Sequence, residues 1–142
     1  MADHVHLEYV VEGDNFVSAG SATESVKACL KGMGVKPEDV RRVAISMYEG
    51  EINMVIHANG GKATADIYMD KVVITLADTG KGIADIELAM KPSYSTATDD
   101  VRSLGFGAGM GLPNMKKYSD TMVIDTELGV GTTVTLTVKL GV

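Results

Sequence analysis

Two residues near the middle of the chain have side chains and a spacing that suit metal binding and proton transfer. Glu49 and Asn53 lie four positions apart in a segment with helical periodicity, so both side chains are expected on the same face of a helix. An asparagine carbonyl oxygen is a hard ligand suited to Mg²⁺, and a nearby glutamate can accept a proton from water or a hydroxyl. The same pair would also be ordinary on a solvated helix face, so its chemistry needs support from other motifs.

A second motif follows an apolar, β-branched run. Residues Asp78 to Ile83 read DTGKGI. A carboxylate at a strand end can accept a hydrogen bond from an exocyclic amine of a nucleobase, and Gly80 and Gly82 would let the backbone approach the ligand closely. An ordinary strand-terminating turn has the same composition, because Asp and Gly are the commonest turn residues.

The third motif, Gly105 to Leu112, reads GFGAGMGL and has glycine at every second position. Such a run leaves backbone N–H groups available to phosphate oxygens, and a helix starting at its end would present its positive end to them. A dinucleotide-binding turn needs a strand directly before it, whereas a loop precedes this run. A Walker motif is excluded because the chain has no Gly-Lys-Ser or Gly-Lys-Thr. A hinge for a mobile lid is the structural alternative, and the two roles are compatible.

The fourth motif, Gly129 to Val134, reads GVGTTV and leads into the last apolar run of the chain. By itself it predicts only a hairpin turn. Each of the four motifs therefore has an ordinary structural explanation when it is taken alone.

The histidine and cysteine patterns point to structure rather than chemistry. His4 and His6 alternate along a predicted strand, and without Asp, Glu or Cys partners placed in the sequence to complete a metal site, they predict an exposed strand face. Cys29 is the only cysteine, so no internal disulfide can form. Its position among helix-spaced apolar residues predicts a small core residue.

Hydrophobic periodicity predicts the order β, α, α, β, β, loop, α, β, β. The predicted strands are His4–Glu12, Ala63–Met69, Lys71–Ala77, Thr121–Thr126 and Thr132–Leu140, and the predicted helices are Phe16–Met33, Pro37–Ala58 and Gly111–Tyr118. In the second helix one stripe is expected to be buried, formed by Val40, Val43, Met47 and Met54. This order predicts an α/β sandwich in which helices cover one face of a mixed, largely antiparallel sheet. The long segment between Asp78 and Gly111 is expected to be functional, because structureless loops of such length are uncommon otherwise.

Length and composition limit the classes of protein. The chain has 142 residues, 45% of them hydrophobic and 23% charged, with a formal net charge of -6. These values predict one globular domain, residues 1–142, and disfavour binding to nucleic acid or an anionic membrane. No apolar run approaches the roughly 20 residues that span a bilayer, and the opening MADHVH lacks the features of a signal peptide. We therefore expect a cytoplasmic protein without nucleic-acid or membrane partners.

Taken in order, the four motifs resemble the N, G1, G2 and G3 boxes of GHKL ATPases: Glu49 to Asn53, Asp78 to Gly82, Gly105 to Gly111 and Gly129 to Thr133. The resemblance covers Val40 to Leu140 and implies the two-layer α/β sandwich of the GHKL (Bergerat) type. A free-standing domain of this length, with one strand and one helix before the N box, is similar to the anti-sigma-factor serine/threonine kinases. The run from Gly105 to Asp120 resembles their switch-kinase branch.

The resemblance also implies roles for individual residues. Glu49 would be the general base, Asn53 the Mg²⁺ ligand and Asp78 the acceptor of the adenine amine. Thr133 would support adenine through a water. The base pocket would be shaped by Gly80 and Gly82. Four glycines would line the binding site for the phosphates of ATP, namely Gly105, Gly107, Gly109 and Gly111. Lys91 to Leu104 would form the ATP lid. Two cationic side chains, Lys81 and Arg102, would either offset phosphate charge or be solvated surface residues.

The reaction implied by this family is transfer of the γ-phosphoryl group of Mg-ATP to a serine or threonine of a STAS-type antagonist protein, with catalysis by positioning and electrostatics. One alternative is a non-catalytic, nucleotide-gated binding module that sequesters a sigma factor or activates a phosphatase, and another is a slow ATPase. Related kinases often dimerise, so a homodimer belongs to the same expectation. Gly50 within the N box marks either close packing or a weakened helix, since a mid-helix glycine costs about 1 kcal/mol relative to alanine.

Overall fold

The computed structural model describes residues 4–13, 19–57, 60–80, 82–83, 90 and 111–141. Within these ranges the chain forms five strands and three helices in the predicted order. The strands are β1 (Val5–Glu12), β2 (Gly60–Ile67), β3 (Lys71–Asp78), β4 (Thr121–Glu127) and β5 (Gly131–Lys139), and the helices are α1 (Ser21–Gly32), α2 (Pro37–His57) and α3 (Gly111–Tyr118). None of the helices in the described ranges has the length and apolar character needed to cross a membrane.

The main difference from the predicted boundaries is at the start of α1. The sequence predicts this helix from Phe16, of which residues 16–18 lie outside the described ranges, and the structure begins it at Ser21. Gly20 has a φ of 94°, and this left-handed conformation cannot continue a right-handed helix. The periodicity of the sequence did not reveal this conformational break.

The five strands form one sheet in the order β1-β2-β3-β5-β4. Every pairing among the described strands is antiparallel. The largely antiparallel sheet predicted from the sequence is thus confirmed. The sequence also predicted a mixed sheet, but no parallel pair occurs among the described strands. β3 is central, β1 and β4 are the two edges, and the β2–β3 hairpin closes with a hydrogen bond from the Tyr68 N–H to the Lys71 carbonyl oxygen at 2.8 Å.

One face of the sheet forms the hydrophobic core with the helices. Alternate residues of the inner strands are buried there: Ala63, Ala65 and Ile67 from β2, Val72, Ile74 and Leu76 from β3, and Val134, Leu136 and Val138 from β5. The predicted stripe on α2 is confirmed, because Val40, Val43, Met47 and Met54 are all buried. Cys29 is half-buried against this core, as its helical spacing predicts.

At Gly50, α2 approaches its neighbours closely. A Cβ added to Gly50 would lie 2.2 Å from Leu76 Cδ1 on β3 and 2.9 Å from Met115 Cε on α3. Both of those side chains are almost completely buried. Gly50 therefore marks close packing, and this packing sets α2 between the end of β3 and α3.

Candidate functional site

Glu49 and Asn53 both lie on α2 and are half-buried. Their spacing of four residues puts them on one face of the helix. Burial raises the pKa of the Glu49 carboxyl above its ordinary value, and a hydrogen bond with the Asn114 side chain partly offsets that rise. A raised pKa makes the carboxylate a stronger base, which suits proton acceptance near neutral pH.

Asn114 was not singled out by the sequence and lies in the first half of α3. Its hydrogen bond with Glu49 fixes the carboxyl against the helix that begins at Gly111. The amino-terminal end of a helix carries exposed N–H groups and a partial positive charge, both of which favour phosphate oxygens. The structure thus places the predicted base beside the predicted end of the phosphate-binding run. No pattern in the sequence distinguishes Asn114 from a solvated polar residue.

Asp78 is the last residue of β3 and is half-buried. Its Oδ1 atom accepts hydrogen bonds from the N–H of Gly80 at 2.8 Å and from the N–H of Thr132 at 3.2 Å. No residue in the described part of the chain donates to Oδ2. The carboxylate is therefore held in place through one oxygen, while the other can accept a hydrogen bond from a ligand amine.

The turn after Asp78 packs closely against the β4–β5 hairpin. Gly82 has a φ of 80°, and a Cβ there would lie 2.6 Å from the Glu127 carbonyl oxygen. Gly131 has a φ of 146°, and a Cβ there would lie 2.1 Å from the Asp78 carbonyl oxygen. Since both obstructing atoms belong to the backbone, only glycine fits without moving the chain at these positions.

Thr132, rather than the predicted Thr133, is the threonine that the structure brings to Asp78. The Thr132 side chain is buried, and its hydroxyl lies 2.8 Å from the Thr126 hydroxyl, which accepts from the N–H of Ile83 at 2.9 Å. Thr133 pairs with Ala77 and Asp125 in the sheet, so its side chain projects from the opposite face. Strand alternation is the sequence signal that selects Thr132. Thr132 lies two positions before the apolar residue Val134 and therefore points to the same face of the strand, whereas Thr133 points to the other face.

The carboxyl-terminal half of α2 lies beside the Asp78 end of β3. A Cβ added to Gly61, which pairs with Asp78, would lie 2.6 Å from Met54 Cε and 2.9 Å from Asp78 Cα. Met54 directly follows Asn53 in the sequence. The site residues on α2 are therefore bordered by Asp78 on one side and by α3 on the other.

Several predicted site residues lie outside the described residues. They are three glycines of the phosphate-lining run, the predicted lid and the two cations of unassigned role: Gly105, Gly107, Gly109, Lys91 to Leu104, Lys81 and Arg102. Gly111, the last glycine of that run, is described as the first residue of α3.

Glu51, which lies between Glu49 and Asn53 in the same motif, has a structural role. Glu51 is 2% exposed. Its Oε1 accepts from the N–H and the hydroxyl of Thr23 at 2.9 and 2.7 Å, and its Oε2 accepts from the Gly20 N–H at 2.8 Å. α1 has no side-chain cap of its own, so Glu51 satisfies its first N–H groups from another helix. Helical spacing from Met47 to Val55 places Glu51 on the buried side of α2, which is the sequence signal that was missed.

The chain matches a family model described as histidine kinase-, DNA gyrase B- and HSP90-like ATPase over residues 38–142. An anti-sigma F factor from Clostridium beijerinckii is 30% identical over 149 aligned positions, which cover 100% of this chain and 99% of that protein. An anti-sigma F factor from Caldanaerobacter subterraneus subsp. tengcongensis is 32% identical over 109 residues, which cover 73% of each protein.

Two solved structures share the fold at low sequence identity. The RsbU and RsbW domains of a Mycobacterium tuberculosis protein superimpose with a TM-score of 0.65 at 16% identity, covering 96% of this chain and 32% of that chain. The mycobacterial sensor histidine kinase MprB superimposes with a TM-score of 0.52 at 13% identity, covering 96% of this chain and 98% of that chain. These likenesses confirm the predicted α/β sandwich.

Proposed function

Because the chain belongs to the family of histidine kinase-, DNA gyrase B- and HSP90-like ATPases, we propose that it binds ATP and acts as an anti-sigma factor of the switch-kinase type. In this proposal it transfers the γ-phosphoryl group of Mg-ATP to a serine or threonine of a STAS-type antagonist protein. Relatives named anti-sigma F factor, one of them matching along its whole length, support this assignment.

The observation that carries the proposal is the arrangement of two carboxylates around α2. Asp78 has one oxygen fixed by backbone N–H groups and the other available to an adenine amine. Glu49 has a raised pKa and is held by Asn114 beside the start of α3. This separation supports the proposal that Asp78 recognises the base and that Glu49 accepts the hydroxyl proton of the protein substrate.

The remaining residues fit ATP and Mg²⁺ by their chemistry. Asn53 would hold Mg²⁺ through its side-chain oxygen, and the ion would offset the charge of the phosphates when bound. Thr132 is buried next to Asp78 and would support adenine in place of Thr133. Gly111 would present the amino-terminal end of α3 to phosphate oxygens.

Two variants test these roles in a calorimetric titration with ATP and ADP, with and without Mg²⁺. In Asp78→Asn the carbonyl oxygen can still accept from the N–H groups of Gly80 and Thr132, but the amide nitrogen cannot accept from adenine. We expect the variant to stay folded and to lose adenine-selective binding, weakening ATP affinity by about 10- to 100-fold. ATP affinity equal to that of the wild type would remove Asp78 from the base pocket.

Glu49→Gln is tested for transfer of labelled γ-phosphate from ATP to a purified STAS-domain antagonist protein. We expect ATP affinity to be retained and the transfer rate to fall by at least about 100-fold, as for loss of a general base. A fully active variant would contradict the role of Glu49. ATP binding by the wild type without any transfer would instead favour the nucleotide-gated binding module.

A further inference from the structure

Two histidines of β1 and one aspartate of β2 meet on the outer face of the sheet. His6 pairs directly with Asp66 in the β1–β2 register, and directly paired residues point to the same face. His4 lies on that face because it is two positions before His6. The acidic partner of these histidines was not predictable from local spacing, since it comes from a strand about 60 residues away in the sequence.

The three side chains already converge on one point. His4 Nε2 lies 3.1 Å and His6 Nδ1 lies 2.5 Å from the same oxygen, Asp66 Oδ1. One potential ligand atom from each residue falls within a cluster whose members are all within 4.8 Å of one another. Ligand atoms around a tetrahedral zinc ion, with bonds of about 2.0–2.2 Å, lie about 3.2–3.6 Å apart. Only a small opening of the cluster would therefore admit a metal ion.

Neighbouring groups fix both imidazole rings in orientations that suit metal binding. His6 Nε2, the nitrogen directed away from Asp66, lies 3.4 Å from Glu8 Oε1. A carboxylate on the second ring nitrogen is the usual outer partner of a metal-binding histidine, because it fixes the tautomer and the ring plane. The His4 ring stacks on Tyr68 with ring centroids 4.6 Å apart. Glu8 is itself paired with Lys62 at 3.6 Å.

We propose that His4 Nε2, His6 Nδ1 and an oxygen of Asp66 form a binding site for Zn²⁺ that is separate from the nucleotide site. Two imidazoles and one carboxylate are a favourable ligand set for zinc, and because both histidines are exposed, the remaining position is left to water. Asp66 pairs with Val73, five residues before Asp78 on β3, which corresponds to a distance of about 17 Å along the strand. The bound ion would tie the edge strand β1 to β2.

A proton shared between the histidines and Asp66 would give a similar arrangement, and Asp66 followed by Glu8 does raise the pKa of His6. The two explanations differ in what the site binds. A protonated ion pair has no affinity for a cation, whereas a zinc site takes up the metal once its histidines are deprotonated.

The test is a calorimetric titration of the full, tag-free and metal-free chain with ZnCl₂ alone, about one pH unit above the ordinary histidine pKa. We expect saturable binding of one ion. His4→Gln, His6→Gln and Asp66→Asn should each weaken it by at least about tenfold, and Glu8→Gln, which alters only the outer partner, by about tenfold. His57→Gln, which changes the third histidine of the chain, should leave the affinity unchanged.

Thermal unfolding with and without ZnCl₂ provides a second measurement. Zinc should raise the Tm of the wild type and of His57→Gln, because binding to the folded state alone stabilises it, and the same zinc concentration should raise the Tm of Asp66→Asn by less. Circular dichroism checks that all of the variants are folded. Absence of saturable binding up to about 1 mM, or equal affinity in the wild type and the three ligand variants, would overturn the proposal.

Discussion

The two glutamates of the Tyr48 to Asn53 segment show how two similar side chains on one helix can have different roles. Glu49 is half-buried, and burial raises the pKa of its carboxyl. Glu51 is buried more deeply and is surrounded by N–H and hydroxyl donors from the start of α1. The environment of Glu49 suits proton transfer, whereas the contacts of Glu51 cap the start of α1.

Replacement of Glu51 by Gln should therefore destabilise the protein. The glutamine amide group would turn two of its own donors toward the N–H groups that now face a carboxylate. We expect the free energy of unfolding in urea to fall by about 1–3 kcal/mol, the usual effect of leaving buried donors unsatisfied.

Glu49→Gln is the matched control for this measurement. A carboxyl with a raised folded-state pKa makes the folded protein less stable above that pKa, because the charged form is disfavoured there. Removing this charge should leave the free energy of unfolding unchanged or slightly higher at neutral pH. If Glu51→Gln proves as stable as Glu49→Gln, the contacts with α1 do not stabilise the fold.

At the level of secondary structure, the position of α2 depends on a residue without a side chain. Gly50 lets the helix approach Leu76 and Met115 more closely than any other residue would allow. This approach places Glu49 beside α3 and the end of α2 beside Asp78. Helix propensity and packing make opposite predictions for a substitution at this position.

Gly50→Ala should lower the free energy of unfolding by about 1 kcal/mol. The higher helix propensity of alanine would raise the free energy of unfolding by about 1 kcal/mol. Insertion of a methyl group between two buried side chains typically lowers it by about 1–3 kcal/mol. Gly32→Ala is the matched control, because a Cβ at Gly32, the last residue of α1, would meet no atom within 4 Å. We expect this control to be slightly stabilised in urea denaturation. Equal gains in both variants would show that α2 accommodates a side chain at Gly50.

The sequence predicted those elements well in which periodicity and burial agree. α2 and α3 lie close to their predicted bounds, and the four apolar residues of the α2 stripe are buried. Contacts between distant parts of the chain were not predictable from spacing. The contact of Asp66 with His6 depends on strand register, and that of Asn114 with Glu49 depends on how α3 packs on α2.

The choice between Thr132 and Thr133 shows a different limit. Both threonines follow Gly131, and the motif alone does not say which one faces the site. Strand alternation does, because Val134 must point into the core and Thr132 has the same parity. The sequence therefore contains the pattern that selects Thr132, but this pattern is the alternation of the strand and not the glycine motif.

For the whole molecule, a set of polar contacts joins the ends of three elements. Asp120 Oδ2 accepts hydrogen bonds from Arg42 of α2 at 2.7 Å and from the N–H of Lys139 in β5 at 2.6 Å. Asp39 Oδ2 accepts from the N–H of Gly141 at 2.9 Å. The carboxyl-terminal strand and the beginning of α2 are thereby linked at the end of the molecule opposite to Asp78.

The pH dependence of stability should reveal the contribution of Asp120. The N–H of Lys139 and the charge of Arg42 lower the pKa of Asp120 below its ordinary value of 3.8. A carboxyl with a lowered folded-state pKa stabilises the protein fully above the unfolded-state pKa, and this stabilisation is lost as the pH falls through the folded-state value. Asp120→Asn should therefore be less stable than the wild type at neutral pH, by less than about 1 kcal/mol because the pair is partly exposed, and the difference should vanish in acid.

Overall charge has to be separated from this local effect. The chain carries a net charge of -6, so removing any carboxylate reduces self-repulsion and slightly favours the compact state. Asp125→Asn removes the same charge from an exposed site on β4 where no described residue forms an ion pair or side-chain hydrogen bond with it. Urea denaturation of both variants between neutral pH and pH of about 3 should show a pH-dependent loss of stability only for Asp120→Asn. If the two variants follow the same curve, the lowered pKa of Asp120 does not contribute to folding, and the link between α2 and β5 rests on uncharged contacts.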